Sequence, residues 1–158
     1  MTRQTLILTA SLGSALLLGG AFAFQFIGGM APCHLCLLQR WPHAAAVLIG
    51  LLALVLTRTS AGLQRLLALL GALAALTTAG LGLYHTGVER AWWQGPDTCT
   101  SGGIDGVSAD QLLDQILAAP IVRCDEVAWA MAGLSMASWN MLAALALAVI
   151  WLAAARRA

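Results

Sequence analysis

Three long stretches without a charged residue limit what this chain can fold into. Residues 6–27, 66–84 and 127–155 contain no Asp, Glu, Lys or Arg. A helix needs about 20 mostly apolar residues to cross a bilayer, so each stretch can supply a span. The last stretch is too long for one upright crossing. It is therefore interpreted as an interfacial piece near 127–136 followed by a span over 137–155.

A fourth, shorter apolar run covers residues 41–56. It reaches spanning length only if its helix begins close to Cys36. This predicts a span over 37–56 and places Arg40 within the first turns. Pro42 is compatible with that prediction, because the first helical turn does not need the amide hydrogen that proline lacks.

The composition agrees with a membrane protein. Sixty per cent of the 158 residues are hydrophobic and 9% are charged, whereas soluble domains carry roughly 25% charged residues. A net charge of +1 and the absence of lysine argue against nucleic acid as a partner. Arg3 and the motif Ala21-Phe22-Ala23 resemble a cleaved signal peptide. However, the apolar run continues past that motif and three more spans follow.

We therefore expect one all-α membrane domain over residues 1–158, a four-helix transmembrane bundle. Short cytoplasmic loops carry an excess of arginine, and five arginines fall on one side of such a bundle: Arg3, Arg58, Arg65, Arg156 and Arg157. All seven acidic residues lie between positions 85 and 126. Both termini are thus predicted to be cytoplasmic. A short first loop (28–36) and a long second loop (85–136) then lie outside, which in a bacterium is the periplasmic side of the inner membrane.

Two pairs of cysteines fall on that outer side, where disulfides persist. Cys33 and Cys36 form a C-x-x-C pair, which can close a small disulfide and commonly lowers the pKa of one thiol. A structural disulfide or half of a zinc site is also compatible with the motif. Haem attachment is excluded because Leu37 stands where that motif needs histidine.

The second pair, Cys99 and Cys124, lies in the long loop. A disulfide between these residues would stabilise the fold by roughly 3 kcal/mol and could be purely structural. Two pairs in one compartment can also exchange through mixed disulfides, as a redox relay requires. The spacings of the four cysteines match no common zinc module, and no metal ligand is predicted.

Arg40 and His85 are candidate polar groups of the site. Arg40 follows Cys36 by one helical turn, so a helix would place both on one face. Its guanidinium could stabilise a thiolate, bind an oxygen of a polar head group, or extend towards phospholipid. His85 is expected at the outer end of the third span. There it could serve a lipid-soluble acceptor or be an ordinary interfacial histidine. The spacing of apolar residues over 108–117 predicts a short amphipathic helix within the long loop.

These features together resemble the disulfide-bond-formation protein B (DsbB) family. The resemblance is carried by residues 32–40, Pro-Cys-His-Leu-Cys-Leu-Leu-Gln-Arg, by Cys99 and Cys124, and by residues 124–140 with their tryptophans. The family reoxidises a periplasmic thioredoxin-fold dithiol oxidase (DsbA-like) and passes two electrons to a membrane quinone, ubiquinone or menaquinone. The resemblance implies that this chain does the same.

The resemblance also implies roles for individual residues. Cys99 would be attacked by the partner's thiolate, and Cys124 would exchange with Cys33. Cys36 would be the thiolate that meets the quinone, with Arg40 beside it.

His85 lies roughly where the family has a quinone-contacting histidine. Gln39 departs from the family, whose better-known members carry glutamate there, so a proton role for a carboxylate is not implied. Three other interpretations stay open. They are an enzyme similar to vitamin K epoxide reductase, a non-catalytic scaffold whose disulfides only staple the loop, and a metal-binding membrane protein.

Overall fold

Four long helices make up most of the part of the chain that the computed structural model describes, which is residues 1–57, 60–96 and 123–157. They are α1 (Arg3–Phe26), α2 (His34–Val55), α3 (Ala61–Glu89) and α4 (Met136–Arg156). Each is long and apolar enough to cross a membrane. The predicted four-helix transmembrane bundle is therefore confirmed.

Two helices begin or end away from the expected positions. α2 begins at His34, because the sulfur of Cys33 caps it by accepting the amide hydrogen of Cys36. Pro42 then lies well inside α2, so the expected place for proline in a first turn was wrong. Transmembrane helices tolerate such an interior proline because neighbouring groups satisfy the freed backbone. α3 continues to Glu89, so His85 lies within a helix and does not end one.

The helices form a ring in which each packs against two others. α1 contacts α2 and α4, and α3 contacts the same two helices, most extensively α4. The chain ends meet at one end of this ring, where Arg157 Nη1 donates a hydrogen bond to the Met1 carbonyl at 2.5 Å. Cys33, Cys36 and Cys124 lie at the opposite end, where α2 begins and α3 ends.

Small residues form most of the bundle's interior. Alanines from all four helices are buried, among them Ala10, Ala53, Ala72 and Ala148. Small side chains let helix backbones approach closely, which is how transmembrane helices associate without a hydrophobic driving force between them. Most of the leucines, in contrast, point outward towards lipid.

Trp151 is the largest fully buried side chain among the described residues. Its ring occupies space left by two glycines of neighbouring helices. A Cβ atom added at Gly71 would lie 2.6 Å from two ring carbons, and one added at Gly50 would lie 3.4 Å from the ring and 1.7 Å from the Ser11 hydroxyl. The glycines therefore set the distance between α2, α3 and α4.

The piece near 127–136 contains a small β hairpin before α4. Strands β1 (Ala130–Met131) and β2 (Leu134–Ser135) pair antiparallel. They are joined by Ala132 and Gly133, whose φ angles are 53° and 78°. Positive φ at both central residues fits the tight turn that two-residue hairpins favour. Ser135 then caps α4, and its side chain accepts the Ser138 amide hydrogen.

We predict that Gly71→Ala lowers the unfolding temperature of the detergent-solubilised protein. The added methyl group would meet the rigid ring of Trp151, and overpacking of this kind costs about 1–3 kcal/mol. Gly80→Ala is the matched control on the same helix, because a Cβ there meets nothing within 4 Å. The control should be neutral or slightly stabilising, since alanine favours helix over glycine. Equal midpoints for the two variants would contradict this packing.

Candidate active site

The C-x-x-C pair lies at the N-terminus of α2. Cys33 is the N-cap, and its sulfur accepts the Cys36 amide hydrogen at 3.1 Å. The two sulfur atoms are 2.6 Å apart, and both cysteines are free. Cys33 is buried at 4% exposure, whereas Cys36 is half-buried. The two thiols therefore differ in environment although they are neighbours.

The neighbouring sulfur and burial both disfavour loss of the proton from Cys33. The pKa of the Cys33 thiol is raised far above its usual range, first by its hydrogen bond to the Cys36 sulfur and second by burial. Ionisation of Cys33 is therefore disfavoured by its surroundings.

His85 lies directly beside this pair. Its ring is buried at 4% exposure, with Nε2 3.6 Å from the Cys33 sulfur. Nε2 also lies 3.9 Å from a carboxylate oxygen of Glu89, one turn further along α3. Glu89 in turn accepts a hydrogen bond from the Ser135 hydroxyl. The predicted site residue His85 is thus brought to the thiol pair, closest to Cys33.

A chain of hydrogen bonds leads from His85 into the bundle. The Gln39 amide nitrogen lies 2.9 Å from His85 Nδ1. The Gln39 amide oxygen accepts from the Asn140 amide at 2.7 Å, and His43 Nε2 lies 2.9 Å from the Asn140 oxygen. Thr78 donates to the Gln39 carbonyl at 3.1 Å. These hydrogen bonds therefore link α2, α3 and α4.

The sequence alone assigns no shared role to these hydrogen-bonded residues. Gln39 is notable there only as a departure from a family pattern, and neither His43 nor Asn140 is predicted as a site residue. One signal was available: Gln39 and His43 lie four residues apart on an apolar helix and so share a face. Polar side chains inside a span are expensive and indicate function.

Arg40 makes its contacts with α1. Its guanidinium donates to the Gln25 side chain at 2.5 Å and to the Ala21 carbonyl at 3.4 Å. It lies 5.0 Å from the centre of the Phe22 ring, a cation–π distance. Its Nε atom is buried and has no partner among the described residues. One donor of Arg40 is thus left for a further acceptor.

A cavity of about 410 Å³ opens beside these residues, between α1, α2, α4 and the segment after Cys124. Most of its lining is apolar, with leucines of α1 and with Phe24, Trp129 and Trp139. The polar groups that reach it include Cys36, Arg40, His43 and His85. Ligand sites commonly combine an apolar lining with a few polar groups that fix orientation.

Cys124 is fully buried and disulfide-bonded. It belongs to a small hydrophobic cluster with Cys33, Leu35 and Val88. Beside it, Arg123 lies 2.6 Å from the Asp125 carboxylate, and this hydrogen-bonded pair holds the pKa of Asp125 below its usual range. Cys99, which was predicted as a site residue, lies outside the described residues, and so does the predicted helix over 108–117. Cys124 is therefore the loop cysteine that the structure brings to the thiol pair.

Cys33, Cys36 and His85 also form a possible metal-ligand triad, since their ligand atoms lie within 4.8 Å of one another. Tetrahedral zinc with bonds of about 2.3 Å would hold two sulfurs roughly 3.8 Å apart. The observed separation is 2.6 Å, which is too short for two sulfurs bound to one zinc ion. As arranged, this donor set does not fit zinc.

Fold and site together define a polytopic membrane protein with a thiol pair at the mouth of an apolar cavity. The sequence profile of the family described as disulfide bond formation protein DsbB matches residues 3–154. The chain belongs to this family, and membership implies an oxidoreductase.

Individual relatives agree. The chain is 34% identical over 152 residues to disulfide bond formation protein B of Methylococcus capsulatus, covering 91% of this chain and 88% of the relative. It is 32% identical over 147 residues to disulfide bond formation protein B 2 of Pseudomonas savastanoi pv. phaseolicola, covering 92% and 83%. No solved structure matches the chain at a significant level.

We predict that Cys36→Ala makes Cys33 more reactive towards a small alkylating reagent at about pH 8.5, the ordinary pKa of a cysteine thiol. Only the thiolate reacts, and the raised pKa keeps Cys33 protonated at this pH. Removing the Cys36 sulfur removes the largest cause of that rise. The thiolate fraction should then increase about tenfold for each unit by which the pKa falls, and reactivity should increase by about threefold per unit, because a less basic thiolate is a weaker nucleophile.

The readout is mass spectrometry of the modified peptide from the reduced protein. Leu37→Ala is the control, because Leu37 adjoins Cys36 but points outward. An unchanged Cys33 rate in Cys36→Ala would show that burial alone protects the thiol.

Proposed function

We propose that this protein is a quinone-dependent thiol oxidase that reoxidises a soluble thioredoxin-fold dithiol oxidase and delivers two electrons to a membrane quinone. One observation carries the proposal. The C-x-x-C pair lies between two surroundings: both cysteines line the apolar cavity, and both pack in the buried cluster that contains Cys124. A relay between a soluble protein and a lipid-soluble acceptor needs both neighbours.

The cavity residues fit a quinone head group. The lining is mostly apolar, and Arg40 offers an unpartnered, buried Nε–H. A carbonyl oxygen is the acceptor that such a donor requires, because a buried N–H without a partner is costly. When bound, a quinone supplies an acceptor for two electrons and two protons. Arg40 would orient the ring, and the apolar lining would exclude water from the Cys36 sulfur.

The order of the cysteines follows from the family resemblance. The partner's thiolate would attack Cys99, releasing Cys124 from its disulfide. In the state in which Cys33 and Cys36 form a disulfide, Cys124 would then attack Cys33, and Cys36 would leave as the thiolate that passes the electrons on. The presence of Cys33 and Cys124 in one buried cluster supports the middle step. Each exchange forms one S–S bond and breaks one, so two electrons move without a net change until the quinone accepts them.

We also propose the orientation in the bacterial inner membrane. The chain termini lie together at one end of the bundle, and arginines 3, 65, 156 and 157 belong to that end. The excess of arginine favours the cytoplasm for this end. The cysteines at the opposite end would then face the periplasm, where the soluble partner resides.

The first test follows quinone absorbance with detergent-purified protein, reduced thioredoxin-fold partner and a soluble ubiquinone analogue. We expect turnover by wild type and none by Cys36→Ser. Arg40→Ala should be slower by about ten- to hundredfold at limiting quinone, the effect of losing a hydrogen bond from a charged group. Arg65→Ala, an exposed arginine at the far end of α3, should behave as wild type.

A normal rate in Cys36→Ser would refute the proposed function. Should wild type itself be inactive with ubiquinone, a menaquinone analogue in the same assay separates a different acceptor from a purely structural set of cysteines.

A second prediction concerns the soluble partner. In Cys124→Ser, Cys99 is left as a free thiol whose thiolate should attack the disulfide of the oxidised partner, so a mixed disulfide between Cys99 and the partner should accumulate, because Cys124 is not there to displace the partner. Non-reducing electrophoresis detects the adduct as a band that disappears on reduction. Cys99→Ser is the matched control and should give no adduct. Adducts of equal yield in both variants would show that Cys99 is not the point of attack.

A further inference from the structure

The orientation of the Gln39 side chain is determined by a backbone carbonyl. The amide nitrogen lies 3.2 Å from the Leu35 oxygen and 2.9 Å from His85 Nδ1. With the amide turned over, two oxygens would face each other at the Leu35 carbonyl, which is repulsive. Hydrogen-bond partners assign amide orientation in this way. Gln39 therefore donates to His85, and Nδ1 of His85 is the acceptor.

A second carbonyl determines the orientation of Asn140. The Thr78 hydroxyl gives its proton to the Gln39 backbone carbonyl, so its oxygen accepts from Asn140 at 3.3 Å. The Asn140 nitrogen also donates to the Gln39 amide oxygen at 2.7 Å. The Asn140 oxygen is thus left for His43, whose Nε2 must donate to it. In this series of hydrogen bonds, each residue donates to the next one: His43 to Asn140, Asn140 to Gln39, and Gln39 to His85.

The consequence falls on the other nitrogen of His85. A neutral imidazole that accepts at Nδ1 carries its proton on Nε2. Nε2 lies 3.6 Å from the Cys33 sulfur and 3.9 Å from a carboxylate oxygen of Glu89. The Cys33 sulfur is thus the nearer of the two acceptors for the Nε2–H.

We propose that Gln39 is a positioning residue that holds His85 in its Nε2–H tautomer, so that His85 is a fixed hydrogen-bond donor to the Cys33 sulfur. The role in exchange rests on the proposed function. When another thiolate attacks Cys124 of a Cys33–Cys124 disulfide, one S–S bond forms and one breaks. The electron pair of the broken bond stays on Cys33. A donor already in place stabilises that charge without reorganisation.

The tautomer itself can be measured without any activity. In protein carrying ¹⁵N-labelled histidine, the protonated and unprotonated ring nitrogens resonate far apart. We expect His85 to show a protonated Nε2 and a bare Nδ1. Single substitutions of His34 and His43 assign the signals, since the chain has three histidines. A proton on Nδ1 of wild-type His85 would overturn the proposal.

The Gln39→Glu variant tests whether Gln39 sets the tautomer of His85. The new oxygen would face Nδ1 in place of the amide nitrogen, so a proton should appear on Nδ1. Gln64→Glu is the matched control, because Gln64 is also buried but donates to the Ala53 and Leu56 carbonyls at the far end of α2. His85 signals should be unchanged in that control. A bare Nδ1 in Gln39→Glu would show that Gln39 does not set the tautomer.

The last experiment separates a donor from a proton acceptor. A glutamine side chain reaches about as far as Nε2 and can donate there, but it cannot take up a proton. Oxidation of the reduced partner in a single turnover without quinone should stay within a few-fold of wild type in His85→Gln. In His85→Leu it should fall about ten- to hundredfold, the effect of losing a hydrogen bond to a charged group.

Equal losses in His85→Gln and His85→Leu would overturn the donor role. If wild type fails to oxidise the partner while its Nε2 is protonated, the proposed function fails and the tautomer assignment stands.

Discussion

The bundle depends on one constraint: a polar group inside a membrane must find its partner within the protein, because lipid offers none. α2, α3 and α4 meet this constraint jointly. Gln39 and Asn140 each bond partners on two other helices, and Thr78 returns a bond to the α2 backbone. The hydrogen bonds that satisfy these side chains also fix the helices relative to one another. The position of the N-terminus of α2, and with it the thiol pair, follows from that arrangement.

The same arrangement makes two neighbouring cysteines unequal. Cys33 is the helix cap, buried against Cys124, and retains its proton because its pKa is raised by the Cys36 sulfur and by burial. Cys36, one turn further into the membrane, reaches the cavity beside Arg40. Both cysteines line the cavity and pack in the cluster with Cys124, but Cys33 is buried and Cys36 is half-buried. The two sulfurs therefore differ in exposure, which the motif alone does not specify.

The fold could be predicted from local features of the sequence. Contacts between residues far apart in the sequence could not be predicted. Long apolar runs and the spacing of arginines predict the four spans, since both signals lie along single segments. The pairing of Gln39 with His85 or Asn140 joins positions on different helices, and no periodicity reports it. α3 continues past position 84 because His85 and Glu89 find partners on α2 and at Ser135. Cys33, Cys36, Arg40 and His85 were predicted from the sequence and lie together, whereas the role of Cys99 stays a prediction.

An amide at position 39 has a chemical consequence that a carboxylate would not have. An ionised carboxylate buried among helices needs a compensating charge, and the groups that bond Gln39 are an imidazole, an amide, a hydroxyl and a carbonyl. An amide satisfies these neighbours by donating on one side and accepting on the other. Every N–H along the chain is then committed in one direction. The hydrogen bonds through the Gln39 and Asn140 amides therefore orient His85 without any change of charge on these amides. The amides cannot carry away the proton that Cys33 loses. That proton must leave on the side of the cavity or of the loop.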